Sequence, residues 1–239
     1  MQEPRDTGAD MIVVEKVAKT FVMHLRDGAR LPVVRDVSFN VRAGECVVLS
    51  GPSGMGKSSL LKMIYGNYRT DAGSILVRGS RGFVDVASAE PRQVLALRAS
   101  SIGYVSQFLR TIPRVGSLDV VAAEAIATSA SEAAARDKAR DLLARLNIAE
   151  RLWSLPPATF SGGEQQRVNI ARGLAADRPI LLLDEPTASL DDANRATVVE
   201  LIEARKRAGT AILGIFHDTA VRERIADVAI DVSAFAARA

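Results

Sequence analysis

The run Gly51-Pro52-Ser53-Gly54-Met55-Gly56-Lys57-Ser58 fits the pattern G-x-x-x-x-G-K-[ST], and each part of it suits phosphate. The glycines let backbone N–H groups approach an anion, the lysine reaches terminal phosphates, and the hydroxyl binds Mg²⁺. Much later, Ile180-Leu181-Leu182-Leu183 ends in Asp184-Glu185. Two carboxylates thus emerge at the C-terminal edge of a buried strand, where ligands of open α/β sheets bind. Asp184 is expected to hold Mg²⁺ through water, and Glu185 to orient or deprotonate an attacking water. Phe160 to Arg167 (Phe-Ser-Gly-Gly-Glu-Gln-Gln-Arg), Ser189-Leu190-Asp191 and Phe216-His217-Asp218 complete the series. The chemistry it points to is that of a nucleoside triphosphate.

The phosphate pattern has meaning only with a strand before it and a helix after it. Glu45 to Ser50 reads as the strand, and 57 to about 65 as the helix, with Leu60, Leu61 and Ile64 facing inward. From Met11 to Val41 apolar and polar residues alternate around an Asp27-Gly28 turn, which predicts an antiparallel sheet. Two further strands are expected at 74–78 and 82–86, and 101–107 returns to the main sheet. Between Ser117 and Leu155, Leu142, Leu143, Leu146 and Ile148 recur at helical spacing, predicting a helical lobe inserted into the core. Residues 180–184, 211–216 and 228–232 read as buried strands, separated by helices near 191–208 and 219–225. The fold class is therefore α/β, with a mostly parallel central sheet, an N-terminal antiparallel β subdomain and the helical lobe. The expected organisation is a single domain over 1–239. Residues 11–116 and 174–239 form the α/β core with its β subdomain, and about 117–173 the lobe and the helix that Ser161 opens.

The bulk numbers exclude little and are consistent with this. A chain of 239 residues can bury a large core, and 48% hydrophobic with 25% charged residues matches an ordinary globular protein. A net charge of +3 gives no argument for nucleic acid. Cys46, the only cysteine, sits in the apolar run Cys46-Val47-Val48-Leu49 and reads as a core residue in a reducing compartment. No stretch approaches the roughly 20 apolar residues that cross a bilayer, and Met1 to Asp6 lacks the apolar centre of a secretory signal. A cytoplasmic location without membrane insertion is expected, docking on a membrane partner remaining open. The first ten residues are expected to be mobile, Trp153 to anchor the lobe, and His24 to be a surface or structural residue.

Ser161-Gly162-Gly163-Glu164-Gln165, just upstream of Asp184-Glu185, resembles the signature motif of ATP-binding cassette (ABC) ATPases, which share the P-loop NTPase fold. The resemblance implies ATP and Mg²⁺. It implies a second anion site at Ser161, Gly162, Gly163 and Glu164, where a helix N-terminus is aimed at a γ-phosphate. In this family the signature lies too far from its own phosphate loop. The implied assembly is thus a two-fold, head-to-tail pair with two ATP molecules between the subunits, as a homodimer or as a heterodimer with a second ABC subunit. Gln107 resembles the Q-loop glutamine that senses Mg²⁺ and water, and His217 the switch histidine at the γ-phosphate. Asp191 fits the D-loop. Phe21, in Lys19-Thr20-Phe21, resembles the aromatic that stacks on adenine, where tyrosine is common; a lone Phe in a strand is more often core, but base-on-aromatic contact tolerates either ring. The implied ATP-binding set is Phe21, Gly51, Pro52, Ser53, Gly54, Gly56, Lys57, Ser58, Ser59, Ser161, Gly162, Gly163, Glu164 and Asp191. Ser59 stands where threonine is usual. The implied catalytic set is Glu185, His217, Lys57 and Gln107, and the metal set Ser58, Gln107 and Asp184.

These motifs are shared by transporters and by other members, so the rest of the chain must choose a biology. Arg30 to Val33, Gly44 to Leu49, Val105 to Arg110, Ile112 to Arg114, Phe160 to Arg172, Leu181 to Leu190 and Gly214 to Asp218 resemble the PhnL type, the ATPase subunits of the bacterial carbon-phosphorus lyase system. Phe108 to Arg114 is the most distinctive of these. This resemblance implies soluble lyase subunits as partners and an association with the step in which a phosphonate displaces adenine from ATP, giving a ribose 1-phosphonate 5-triphosphate. No residues for that glycosyl chemistry stand out, so the implied contribution is ATP-driven dimer closure. The rival is the ATPase of a transporter of the lipoprotein-release or macrolide-export type, in which the segment after Gln107 would form a groove for a permease helix. A non-catalytic scaffold is the third class, and the presence of Lys57, Asp184, Glu185 and His217 argues against it.

Overall fold

The computed structural model describes residues 9–23, 28–109 and 113–235. His24, Asp27 of the expected turn, and Arg110 to Ile112 lie outside the described residues, as do the first eight of the ten expected to be mobile. Asp10 departs from that expectation. It is buried, it begins the first strand, and it accepts a 2.7 Å hydrogen bond from Asn40 Nδ2.

In chain order the elements are β1 (Asp10–Met23), β2 (Ala29–Arg42), β3 (Cys46–Ser50), α1 (Lys57–Ile64), β4 (Ala72–Gly79), β5 (Gly82–Asp85), α2 (Pro91–Ser100) and β6 (Ile102–Val105). Then follow α3 (Ser117–Ala125), α4 (Glu132–Arg145), α5 (Gly162–Ala175), β7 (Ile180–Asp184), α6 (Asp192–Arg207), β8 (Ala211–Ile215), α7 (Thr219–Ile225) and β9 (Val228–Asp231). Helix α2 was not anticipated. Its apolar signal is weak, since Leu97 is its one buried residue, but its ends are well marked: Pro91 opens it and Glu90 and Gln93 form a reciprocal capping box. Leu146 and Ile148, expected to continue the lobe's helical spacing, lie beyond α4, which ends at Arg145. Both are nevertheless buried.

Strands β2-β1-β4-β5 form an antiparallel sheet, and β6-β7-β8-β3-β9 a parallel one. Parallel neighbours need crossover helices that cover both faces, and the core divides accordingly. Cys46, Val48, Leu181, Leu183 and Ile212 point to one face, among residues of α3 to α7. Val47, Leu49, Leu182, Leu213 and Ile215 point to the other, against α1 and the antiparallel sheet. Alternation along each strand thus sets two hydrophobic layers on one polar edge. Burial pushes the Cys46 thiol up to about 12, as suits a core residue. Trp153 ties the lobe together, its Nε1 donating to the Ile148 carbonyl at 2.9 Å. Among the described residues no helix is long and apolar enough to cross a membrane.

Helix α5 runs from Ser161, its N-cap, down to the parallel sheet. At Gly173 a Cβ would collide with the side chain of Val105 in β6. The glycine therefore sets how closely α5 approaches β6, the strand that leads to Gln107. Gly173→Val is expected to destabilise the fold by about 1–3 kcal/mol through overpacking. A thermal melt should read this as a drop of roughly 2–4 °C per kcal/mol for a chain of this size.

Candidate functional site

Because β6, β7, β8 and β3 are parallel neighbours, their C-terminal ends share one edge. Gln107 follows β6, Asp184 and Glu185 close β7, His217 follows β8, and the phosphate loop follows β3. Residues far apart in sequence meet here because strand order differs from chain order.

The phosphate loop takes its shape from Gly51, Gly54 and Gly56, at φ of 119°, 83° and 85°, values that residues with a Cβ rarely adopt. Gly56 is the N-cap of α1 and supplies no side-chain acceptor, and the first turn of α1 holds no acidic residue. The helix therefore opens with N–H groups directed at the loop, the arrangement that attracts phosphate. Lys57 is buried and its Nζ donates to the carbonyls of Gly51 and Pro52, both at 2.7 Å. The ammonium is thus held inside the loop by backbone dipoles. A cavity of about 300 Å³ lies over it, lined by Phe21, Leu31, Val33, Ser53, Gly54, Gly56, Lys57, Ser58, Ser59 and Glu185.

Asp184 is 1% exposed. Ser58 Oγ donates to its Oδ1 at 2.9 Å and Tyr104 OH to its Oδ2 at 3.2 Å. Desolvation raises its carboxyl above the usual range, and the two hydroxyl donors oppose that rise. Ser58 and Asp184 are hard oxygen donors side by side, which suits Mg²⁺. Among the described residues no group of three or more His, Cys, Asp or Glu side chains is placed to hold a metal. The donor set therefore fits an ion that keeps waters and takes phosphate oxygens, as Mg²⁺ does with nucleotides.

Glu185 directly follows β7 with φ at 54°, a sparsely populated conformation for a residue with a side chain. Its N–H donates to the Ile215 carbonyl of β8 at 3.1 Å. Its carboxylate is bracketed: His217 Nε2 lies 2.7 Å from Oε1, and Gln107 Nε2 donates to Oε2 at 3.3 Å. Gln107 thus rests on Glu185, whereas the expectation set it beside the metal with Asp184. An amide donor can satisfy either carboxylate, and Asp184 already has two hydroxyls.

Helix α5 supports both of these loops. Buried Asn169 donates to the Ser106 carbonyl at 2.5 Å, next to Gln107, and Gln166 to the Pro186 carbonyl at 3.1 Å, next to Glu185. Neither role was anticipated, although Gln166 lies within the motif already noted. At the start of α5, Ser161 and Glu164 form a capping box. Glu164 Oε2 accepts from Ser161 N at 3.0 Å and from Ser161 Oγ at 2.7 Å. These bonds hold the half-buried Glu164 carboxyl below its ordinary range. A Cβ on Gly162 would meet no atom within 4 Å, so the chain leaves this helix start open. None of Ser161 to Glu164 lines the phosphate-loop cavity. Nor does Asp191, which caps α6: its Oδ1 accepts from Asn194 N at 2.8 Å. Asn194 Oδ1 in turn accepts from Asn147 Nδ2, past the end of α4.

Phe21 does line the cavity, and it is not a core residue. Its ring meets Tyr68 edge-on, centroids 5.2 Å apart, and Lys19 Nζ lies 5.3 Å from its centroid. A second, larger cavity of about 860 Å³ includes Tyr65, Arg98, Tyr104, Gln107, Phe108 and Arg172 in its walls and reaches Asp184. Phe108 is 72% exposed there.

A profile of the ABC transporter family matches residues 34–188. The chain is 38% identical over 209 residues to the lipoprotein-releasing system ATP-binding protein LolD of Maricaulis maris (strain MCS10), covering 87% of this chain and 88% of that protein. It is 34% identical over 196 residues to the macrolide export ATP-binding/permease protein MacB of Rhodopseudomonas palustris (strain BisB18), covering 82% of this chain and 29% of that protein. Among solved structures it matches the dimeric ATP-binding cassette MJ0796 in a post-hydrolysis state bound to ADP and Pi. The TM-score is 0.80 and the identity 27%, over 92% of this chain and 96% of that one. Neither named relative is a subunit of a phosphonate system.

If Phe21 stacks on a base, Phe21→Ala should weaken ATP binding by about 1–3 kcal/mol and leave inorganic triphosphate binding unchanged. Competition against a fluorescent nucleotide measures both, and an equal loss for the two ligands would remove Phe21 from the site.

Proposed function

This chain belongs to the ABC transporter family, and we propose that it is the ATP-hydrolysing subunit of a release or export system, docking on a membrane permease at its cytoplasmic face. The observation that carries the hydrolytic part is the bracketing of Glu185 by His217 and Gln107 at the mouth of the phosphate-loop cavity. In this reading ATP lies with its phosphates on the amides of Gly51 to Ser58, Lys57 turns its ammonium to the terminal phosphates, and Phe21 supports the base. Ser58 and Asp184 would hold Mg²⁺, which would supply charge neutralisation on the phosphates. Glu185 takes the proton from the water that attacks the γ-phosphorus, ADP leaves, and His217 and Gln107 keep the carboxylate oriented toward that water.

The open helix start at Ser161, outside the phosphate-loop cavity, supports a head-to-tail pair. In such a pair Ser161, Gly162 and Gly163 of one subunit meet the phosphates on its partner, Glu164 reinforces the cap, and Asp191 lies between the two sites. The MJ0796 cassette is dimeric, which supports a pair of subunits. Exposed Phe108 on the rim of the larger cavity, beside Gln107, supports that groove as the seat of a permease segment.

The carbon-phosphorus lyase reading rests on the segment Phe108 to Arg114 and the other stretches resembling the PhnL type. The relatives in lipoprotein release and macrolide export favour the transporter reading over it. Glu185→Gln is expected to abolish ATP turnover while preserving ATP binding, and so to trap the closed pair with Mg²⁺ and ATP. Affinity capture of this variant from native extract, with mass spectrometry of what it holds, decides between the partners. An integral membrane permease supports the proposal, and soluble lyase subunits would overturn it.

A further inference from the structure

Tyr104 donates to Asp184 from outside the phosphate loop. It lies in β6, with its ring against Tyr65, centroids 4.7 Å apart at 42°. The Arg98 guanidinium covers Tyr65 in turn, 4.3 Å from its centroid, and Arg98 Nε donates to the Tyr65 carbonyl at 2.9 Å. This packing fixes where the phenol points, and its hydroxyl donates to Asp184 Oδ2. The two oxygens of Asp184 are therefore held from opposite partners, Oδ1 by Ser58 of the phosphate loop and Oδ2 by Tyr104 of the neighbouring strand.

Donors to both oxygens of Asp184 restrict the turn of its carboxylate about the Cβ–Cγ bond more than one donor would. Asp184 is almost fully buried, so an oxygen without a donor there carries a desolvation cost that water does not relieve. We propose that Tyr104 is a positioning residue for the metal site, whose hydroxyl orients the Asp184 carboxylate so that Oδ1 faces Ser58 and the cation. The proposal rests on the reading that Ser58 and Asp184 serve Mg²⁺. Tyr104 touches neither nucleotide nor metal in this scheme and acts through Asp184. Phenylalanine at this position keeps the ring on Tyr65 and deletes the one atom that matters.

The test compares the full chain, Tyr104→Phe and Asp184→Asn for binding of a fluorescent ATP analogue, once in chelator and once with Mg²⁺, with a thermal melt of each protein. Tyr104→Phe should bind the analogue normally in chelator, and the tightening that Mg²⁺ brings should fall by about tenfold, the scale of one hydrogen bond to a charged group. Its melting temperature should fall by a few degrees, because Oδ2 loses its donor, while the transition stays cooperative. Full Mg²⁺-dependent tightening in Tyr104→Phe, with the effect lost in Asp184→Asn, would overturn the proposal and leave the metal reading intact. Equal weakening of Tyr104→Phe in chelator and in Mg²⁺ would also overturn it, by showing a packing role only. Undiminished tightening in Asp184→Asn would overturn both.

Discussion

The direction of four neighbouring strands is the constraint from which the rest of the molecule follows. β6, β7, β8 and β3 run parallel, so each must deliver its following residues to the same edge and return through a crossover at the other. That requirement puts helices on both faces, makes the strands apolar along their whole length, and leaves the C-terminal edge as the one place where polar groups converge. Antiparallel pairing would have sent alternate loops to opposite ends. Gln107 and His217, which follow β6 and β8, would then lie at the opposite end from Glu185 and the phosphate loop, which follow β7 and β3.

At that edge the structure buries one cation and one anion close to the same loop and satisfies them differently. Lys57 is held by carbonyls of the loop it serves. Asp184 is held by hydroxyls from two other elements. Backbone carbonyls are weak competitors for an ammonium when a phosphate arrives, so the loop is shaped in advance without tying up its charge. Helix α5 adds a mechanical link, because Asn169 and Gln166 grip the loops that carry Gln107 and Glu185, while the same helix begins at Ser161. A displacement of α5 reaches both loops through single hydrogen bonds.

Much of this was legible in the sequence, for identifiable reasons. The four apolar residues Ile180 to Leu183, ending in two carboxylates, read as a buried strand, and the glycine pattern before Lys57 between a strand and a helix reads as a phosphate loop. What stayed hidden depends on sequence separation or on patterns with two meanings. Tyr104 and Asp184 stand 80 positions apart, and nothing local marks the phenol as a partner. Helix α2 escaped because Leu95, its other large apolar residue of note, is 62% exposed, which blurs the helical period. Ser161-x-x-Glu164 reads both as a capping box and as an anion site, and the structure shows the first use directly. The partner was the least legible feature, since residues that handle phosphate are common to every member of such a family.

Glu185 occupies a left-handed backbone position that glycine would enter without strain, typically of order 1–3 kcal/mol for a residue with a side chain. Replacement by glycine would relieve that strain and remove the carboxylate that the proposed reaction uses. A relative with glycine here would thus be read as a cassette released from turnover, and its extra stability as the trace of that release.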